Sequence, residues 1–132
     1  MSVPDVTLTT ACFDLSHIHE HCRNRADIMN QITPVLSIPC YMVIYTDEKL
    51  VNMIRIIRKH LQLSHLTHFV VTTIENLMFY KFNNIIKSNR ESYWPTRDKR
   101  TCAESHIICC SKFNFVLDTI RDNPFQTSKF GW

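Results

Sequence analysis

The side chains best suited to chemistry stand close together in His17-Ile18-His19-Glu20-His21-Cys22. Imidazole nitrogen and thiolate sulfur are the ligands Zn²⁺ prefers in a tetrahedron. In an extended segment His17, His19 and His21 fall on one side. A structural zinc site draws on two separated ligand pairs, however, and no second pair with matching spacing follows. A solvated polar loop is the favoured reading; a small zinc-binding module on the His17 to Cys22 cluster is the sharper rival.

Three other places have suggestive chemistry. Tyr45-Thr46-Asp47 closes an apolar run and opens a helix. In an open α/β sheet the carboxyl ends of strands contact a nucleotide base or ribose, and a plain helix cap explains the same residues equally well. Residues 90–100 carry Arg90, Arg97, Lys99 and Arg100 around Tyr93, Trp94 and Pro95. Such a length of polar chain is unusual in a compact domain and suits a phosphate-gripping lid; a solvated loop is the favoured reading. Tyr93 and Trp94 could stack a base, but no aromatic-basic strand pattern accompanies them, so no nucleic-acid partner is expected. Lys112 is a single cation among Cys109, Cys110, Phe113 and Phe115. It either snorkels to water or meets an anion in a cleft, and the composition favours snorkelling. No nucleophile can be paired with a base, and no DxD or ExxH spacing marks a metal site.

The elements that must position these residues alternate between two periods. Residues 6–15 read as a strand, rich in β-branched and apolar side chains. Residues 27–36 follow as a short helix, with Ile28, Ile32 and Val35 on one side and Pro34 limiting its length. The clearest unit spans residues 39–63. Its continuous run Cys40-Tyr41-Met42-Val43-Ile44-Tyr45 predicts a strand covered on both faces. Thr46 or Asp47 caps the helix behind it, where Leu50, Met53, Ile54, Ile57 and Leu61 recur at helical spacing. Asp47 and Glu48 at its start and Arg58, Lys59 and His60 at its end match the helix dipole.

Residues 67–74 predict a third strand and residues 78–88 a helix with Met78, Phe82, Ile85 and Ile86 inward. A polar loop over 88–101 leads to one long helix over 103–121, with Ile107, Cys110, Phe113 or Asn114, Leu117 and Ile120 on its inner face. Asn123-Pro124 ends it. Strands alternating with helices predict an α/β fold, a mostly parallel sheet with crossover helices.

Composition bounds the function. The 132 residues, 45% hydrophobic and 20% charged, make one globular domain with a core of its own. The only glycine is Gly131, which excludes the glycine-rich phosphate cradles of both GxGxxG and GxxxxGK[ST] type. The net charge of +3 favours anionic ligands in a general way. No apolar run reaches the ~18 to 20 residues of a membrane span, and the start of the chain is no secretory signal. A cytoplasmic location without membrane contact is therefore expected, with the six cysteines as free thiols.

Several segments taken in order resemble the HtrL/YibB family of glycosyltransferase-like proteins. They are Thr9-Thr10-Ala11-Cys12-Phe13-Asp14-Leu15, Met42-Val43-Ile44-Tyr45-Thr46-Asp47-Glu48-Lys49, Phe79-Tyr80-Lys81, Ser111-Lys112-Phe113, and Asn123-Pro124-Phe125 leading to Phe130-Gly131-Trp132. The resemblance implies a GT-A-like, nucleotide-diphospho-sugar transferase fold and transfer of a sugar from a nucleotide donor to a hydroxyl acceptor. It implies that Thr10, Ala11 and Phe13 face the nucleotide and that Tyr45, Thr46 and Asp47 lie near base and ribose. Lys81 and Lys112 become candidates for the diphosphate or for helix anchoring. A divalent cation, Mn²⁺ or Mg²⁺, is expected from the family, although its acidic segment corresponds to chain beyond Trp132. The domain is accordingly expected to be a GT-A-like portion, inactive alone, completed by a second polypeptide, or else a non-catalytic remnant.

Overall fold

Strand and helix alternate along the chain as β1 (Val6–Cys12), α1 (Arg25–Leu36), β2 (Tyr41–Thr46), α2 (Val51–His60), β3 (Thr67–Val71), α3 (Asn83–Tyr93), α4 (Ala103–Cys110), α5 (Lys112–Asp122) and β4 (Lys129–Gly131). This computed structural model describes residues 2–18, 24–93 and 102–132. The strands form one sheet in the order β3-β2-β1-β4. Every pairing is parallel: Thr7 lies opposite Tyr41, Met42 opposite Thr67, and Val6 opposite Lys129. The expected α/β fold with crossover helices is therefore present. Progress from β1 to β3 runs toward one edge, and the chain then returns to place β4 on the other side of β1.

Side-chain alternation in β2 explains the two layers. Met42 and Ile44 pack with Met29, Ile32, Leu36, Leu50 and Ile54 on the α1/α2 face. Val43 and Tyr45 pack with Phe13, Ile74 and Phe115 on the opposite face. Each such fully buried aliphatic side chain contributes about 1.5–3 kcal/mol of transfer free energy, so the central strand can be covered on both sides only because it is apolar throughout. The Asn24 side chain caps α1 by accepting from the Asp27 N–H. Asn123, in the left-handed region at φ 39°, closes α5 and exchanges hydrogen bonds with the Thr127 backbone.

Arg58 is wholly buried at 0% exposure. Its guanidinium donates to the carbonyl oxygens of Leu36, Ile38, Cys40 and Leu66 and to the Thr67 hydroxyl, at 2.7 to 3.5 Å. Five N–H donors thus meet five acceptors. One side chain joins the end of α1, the approach to β2 and the start of β3. Burial pulls its pKa below the ordinary arginine value.

Several expectations are corrected. The first strand ends at Cys12 and the third at Val71. The helix expected over 78–88 is a 3-10 turn over Met78–Phe82 followed by α3, which extends through part of the expected polar loop. Met78, Phe82 and Ile85 are exposed instead of inward. The long helix over 103–121 is two helices that meet at Ser111. Its buried stripe is Ile107, Ser111, Phe115 and Thr119, at a spacing of four, while Cys110, Phe113, Leu117 and Ile120 face outward. Ser111 and Thr119 tolerate burial because their hydroxyls donate to the carbonyls of Ile107 and Phe115 one turn back. On α2 Met53, and just past its end Leu61, also lie outside. Among the described residues no helix is long and apolar enough to cross a membrane. The five described cysteines are free thiols, Cys12, Cys40 and Cys102 buried and Cys109 and Cys110 exposed.

Candidate functional site

The carboxyl edge of the sheet gathers the segments that leave β1, β2 and β3. Phe13, Asp14, Leu15 and His17 from the first, Asp47 and Lys49 from the second, and Thr73, Ile74 and Glu75 from the third line a cavity of about 110 Å³. Parallel strands place these exits on one rim, and the strand order reverses beside them at β1. An open α/β sheet forms its ligand crevice at such a reversal.

Asp14 anchors this rim. It is 1% exposed and accepts hydrogen bonds from the Ser16 backbone at 3.0 Å, the Ser16 hydroxyl at 2.5 Å and the half-exposed Arg25 guanidinium at 2.6 Å. Burial pushes its carboxyl upward, but the Ser16 and Arg25 hydrogen bonds outweigh that and hold it at about 2. A carboxylate depressed in the folded state contributes stability above its unfolded value, and the contribution is lost as pH falls through the folded one. Going from 3.8 to about 2 corresponds to about 2 kcal/mol. Unfolding free energy measured against pH should therefore fall between about pH 4 and pH 2. In Asp14→Asn that component of the slope should be absent; an unchanged slope would show that other carboxylates govern acid unfolding.

Asp47 ties the rim together. One oxygen accepts the Asp14 N–H at 2.7 Å, and the other accepts the N–H groups of Lys49 and Leu50, each at 3.0 Å. It caps the turn into α2, a role Thr46 does not take. Thr46 is fully buried and its hydroxyl is unpartnered. Cys12, beneath this rim, has its thiol pushed up to about 12, chiefly by burial and then by the Asp47 and Asp14 charges, so it remains an unreactive thiol.

The remaining candidate residues are divided between faces. Ala11 and Phe13 belong to the α5 face, whereas Thr10 shares the parity of Leu8 and Cys12 on the α1/α2 face. Thr10 and Ala11 therefore enter opposite layers, and of the three only Phe13 lines the cavity. Tyr45 is buried, its ring 4.6 Å from that of Phe115 and its hydroxyl 3.3 Å from that of Thr119. Lys81 is exposed, its ammonium 5.1 Å from the Phe82 ring centre. Lys112 lies 5.4 Å above Trp132, and Trp132 stacks on Phe115 at 6.1 Å and 4°. This cation-aromatic stack borders the side of β1 on which β4 lies. Arg90 belongs to α3 and contacts His106 at 2.7 Å. Trp94, Pro95, Arg97, Lys99 and Arg100, and likewise His19, His21 and Cys22, lie outside the described residues. His17 lines the carboxyl-edge cavity.

A second cleft, of about 390 Å³, lies on the α5 face between β3, the turn over residues 72–78 and α5. Tyr45, Val70 and Leu117 give it apolar walls, and Thr72, Asn76, Asn114, Asp118 and Arg121 supply polar groups. The reading of the sequence missed this cleft and the roles of Asp14 and Arg25. An acidic residue directly after a strand was the available signal for Asp14; nothing local pointed to Arg25.

The donor set among the described residues does not fit a divalent cation. Among the described residues no three His, Cys, Asp or Glu side chains come together. Of the three carboxylates that line the cavity, Asp14 and Asp47 already accept bonds from Ser16 and Arg25 and from backbone N–H groups respectively, and Glu75 does not join them in a ligand set.

Residues 4–132 match the family model described as a bacterial protein of unknown function (HtrL_YibB). No curated protein and no solved structure matches the chain.

Proposed function

The chain belongs to the HtrL_YibB family, and from that premise we propose that the carboxyl edge of its sheet binds the nucleotide of a nucleotide-diphospho-sugar, as donor for glycosyl transfer. The observation that carries this reading is the reversal of strand order at β1 beside a cavity built from three strand exits. Phe13 and Ile74 supply apolar walls for a base, while the basic Lys49 and the imidazole of His17 face the same space. The cavity, at about 110 Å³, accommodates only part of a ligand whose usual site exceeds about 300 Å³. The diphosphate therefore extends outward from the cavity, past Lys49 on its wall.

In the transfer the bond between anomeric carbon and diphosphate oxygen breaks, its electron pair leaving with the diphosphate. An acceptor hydroxyl forms the new glycosidic bond and releases its proton. Cationic side chains lower the energy of the departing charge by preorganised electrostatics. Lys49 is the residue suited to that task here.

Calorimetry with UDP- and GDP-sugars, with and without Mn²⁺, tests the reading. Binding with a Kd of about 1 mM or tighter is expected, weakened about tenfold in Lys49→Glu. Lys49 is exposed, so the melting temperature should not change. The absence of heat with every nucleotide at millimolar concentration would remove the proposal.

A further inference from the structure

The cleft of about 390 Å³ beside α5 falls in the size range of small-molecule sites. Its chemistry is mixed in a particular way. Asp118 and Arg121 stand on its rim 3.5 Å apart and neutralise each other, so the cleft holds no net charge to select an anion. Asn76 and Asn114 add amide donors and acceptors, and Tyr45 and Leu117 give an apolar wall. Planar polar groups of both senses beside an apolar surface match a ring with neighbouring hydroxyls on its edge and C–H bonds on its face.

The cleft also adjoins the carboxyl-edge cavity. Thr72 and Asn76 line the cleft while Thr73, Ile74 and Glu75 line the cavity. One short segment is the wall between them. Tyr45 and Asp47, two residues apart at the end of β2, open to the cleft and the cavity respectively.

We infer that this cleft binds a neutral saccharide, which, on the glycosyl-transfer reading above, is the acceptor. The shared wall sets the saccharide's hydroxyl edge next to the donor cavity, as transfer between two bound sugars demands.

Amide chemical shifts recorded while titrating galactose, glucose and N-acetylglucosamine test the inference in the full chain. At least one neutral sugar should shift the amides of Asn76, Asn114 and Asp118, with a Kd of about 1 mM to 10 mM. Asp118→Ala and, separately, Asn76→Ala should weaken it about tenfold. Both residues lie at the surface, and unchanged melting would establish that folding is intact. Galacturonate should bind no better than galactose. Silence of the cleft amides with every neutral sugar, equal binding by the variants, or preference for the uronate would overturn the inference. A UDP titration in the same samples separates the two proposals. It should move residues lining the carboxyl-edge cavity; saccharide binding without nucleotide binding would sink the donor reading alone, and the converse would sink this one alone.

Discussion

Replacing Arg58 by alanine should lower the unfolding free energy by about 4 kcal/mol, among the largest losses expected from a single change in this chain. The reason is the number of groups left behind. Four carbonyl oxygens and the Thr67 hydroxyl receive its N–H groups, and water has no ready access to a site of 0% exposure. Each buried acceptor left unpaired costs roughly 1–3 kcal/mol, less where the surroundings relax. Thr67 recovers part of its share because its hydroxyl also donates to the Leu63 carbonyl at 2.8 Å. Arg58→Lys should restore little, since an ammonium has three donors and cannot reproduce the planar fork. Urea unfolding of both variants is the measurement. A loss below about 1 kcal/mol for the alanine variant would mean these acceptors find other partners. A loss near 4 kcal/mol out of a typical 5–15 leaves a marginal domain.

The second large effect is expected from Phe115→Ala, about 3–5 kcal/mol. Phe115 is 3% exposed and its ring meets those of Tyr45 at 4.6 Å, Trp132 at 6.1 Å and Phe13 at 6.4 Å. Truncation removes the transfer free energy of the ring and leaves a cavity that three stiff neighbours cannot fill. It also removes the surface on which Trp132 lies beneath the Lys112 ammonium. Phe115→Leu keeps most of the volume and should lose less than about 2 kcal/mol. Tryptophan fluorescence during denaturant unfolding reads both variants, because the Trp132 environment changes with the ring it stacks on. Equal stability of the alanine and leucine variants would show that the stack contributes little.

These two residues mark where sequence reasoning reached its limit. Arg58 stood in a run of basic residues at the end of a helix, and the dipole offered a sufficient explanation for it. Its burial depends on carbonyls from residues 36 to 40 and 66, which become neighbours only when α1, β2 and β3 are assembled. Phe115 was read as part of the surroundings of Lys112, while the inner face beyond Ile107 was assigned to Cys110, Phe113 or Asn114, Leu117 and Ile120. Hydrophobicity favoured those larger side chains. The sheet instead receives Ser111 and Thr119, small residues whose hydroxyls bond within their own helix, so that the helix lies close enough for the Tyr45 hydroxyl to reach Thr119.

The positions of the strand exits were legible in outline. The strand ends, with Tyr45, Thr46 and Asp47 at the second, were placed correctly along the chain. The layer each side chain enters was not legible, because alternation sends neighbours to opposite faces and the sequence does not say which helix covers which face. Thr10 and Ala11, as neighbours on β1, point to opposite layers, and of Thr10, Ala11 and Phe13 only Phe13 lines the cavity. Asp47 was available to a ribose by position, but its oxygens hold three backbone N–H groups.

What the sequence by itself determined is the succession of parallel crossovers: a continuous apolar run needs cover on both faces, and amphipathic helices between such runs supply it. Tertiary structure alone decided the return of β4 to the far side of β1, the buried hub at Arg58 and the pairing of Asp14 with Arg25. Each of these brings together residues distant along the chain. Local periodicity records which side of an element is apolar, and has no term for the partner that side will meet.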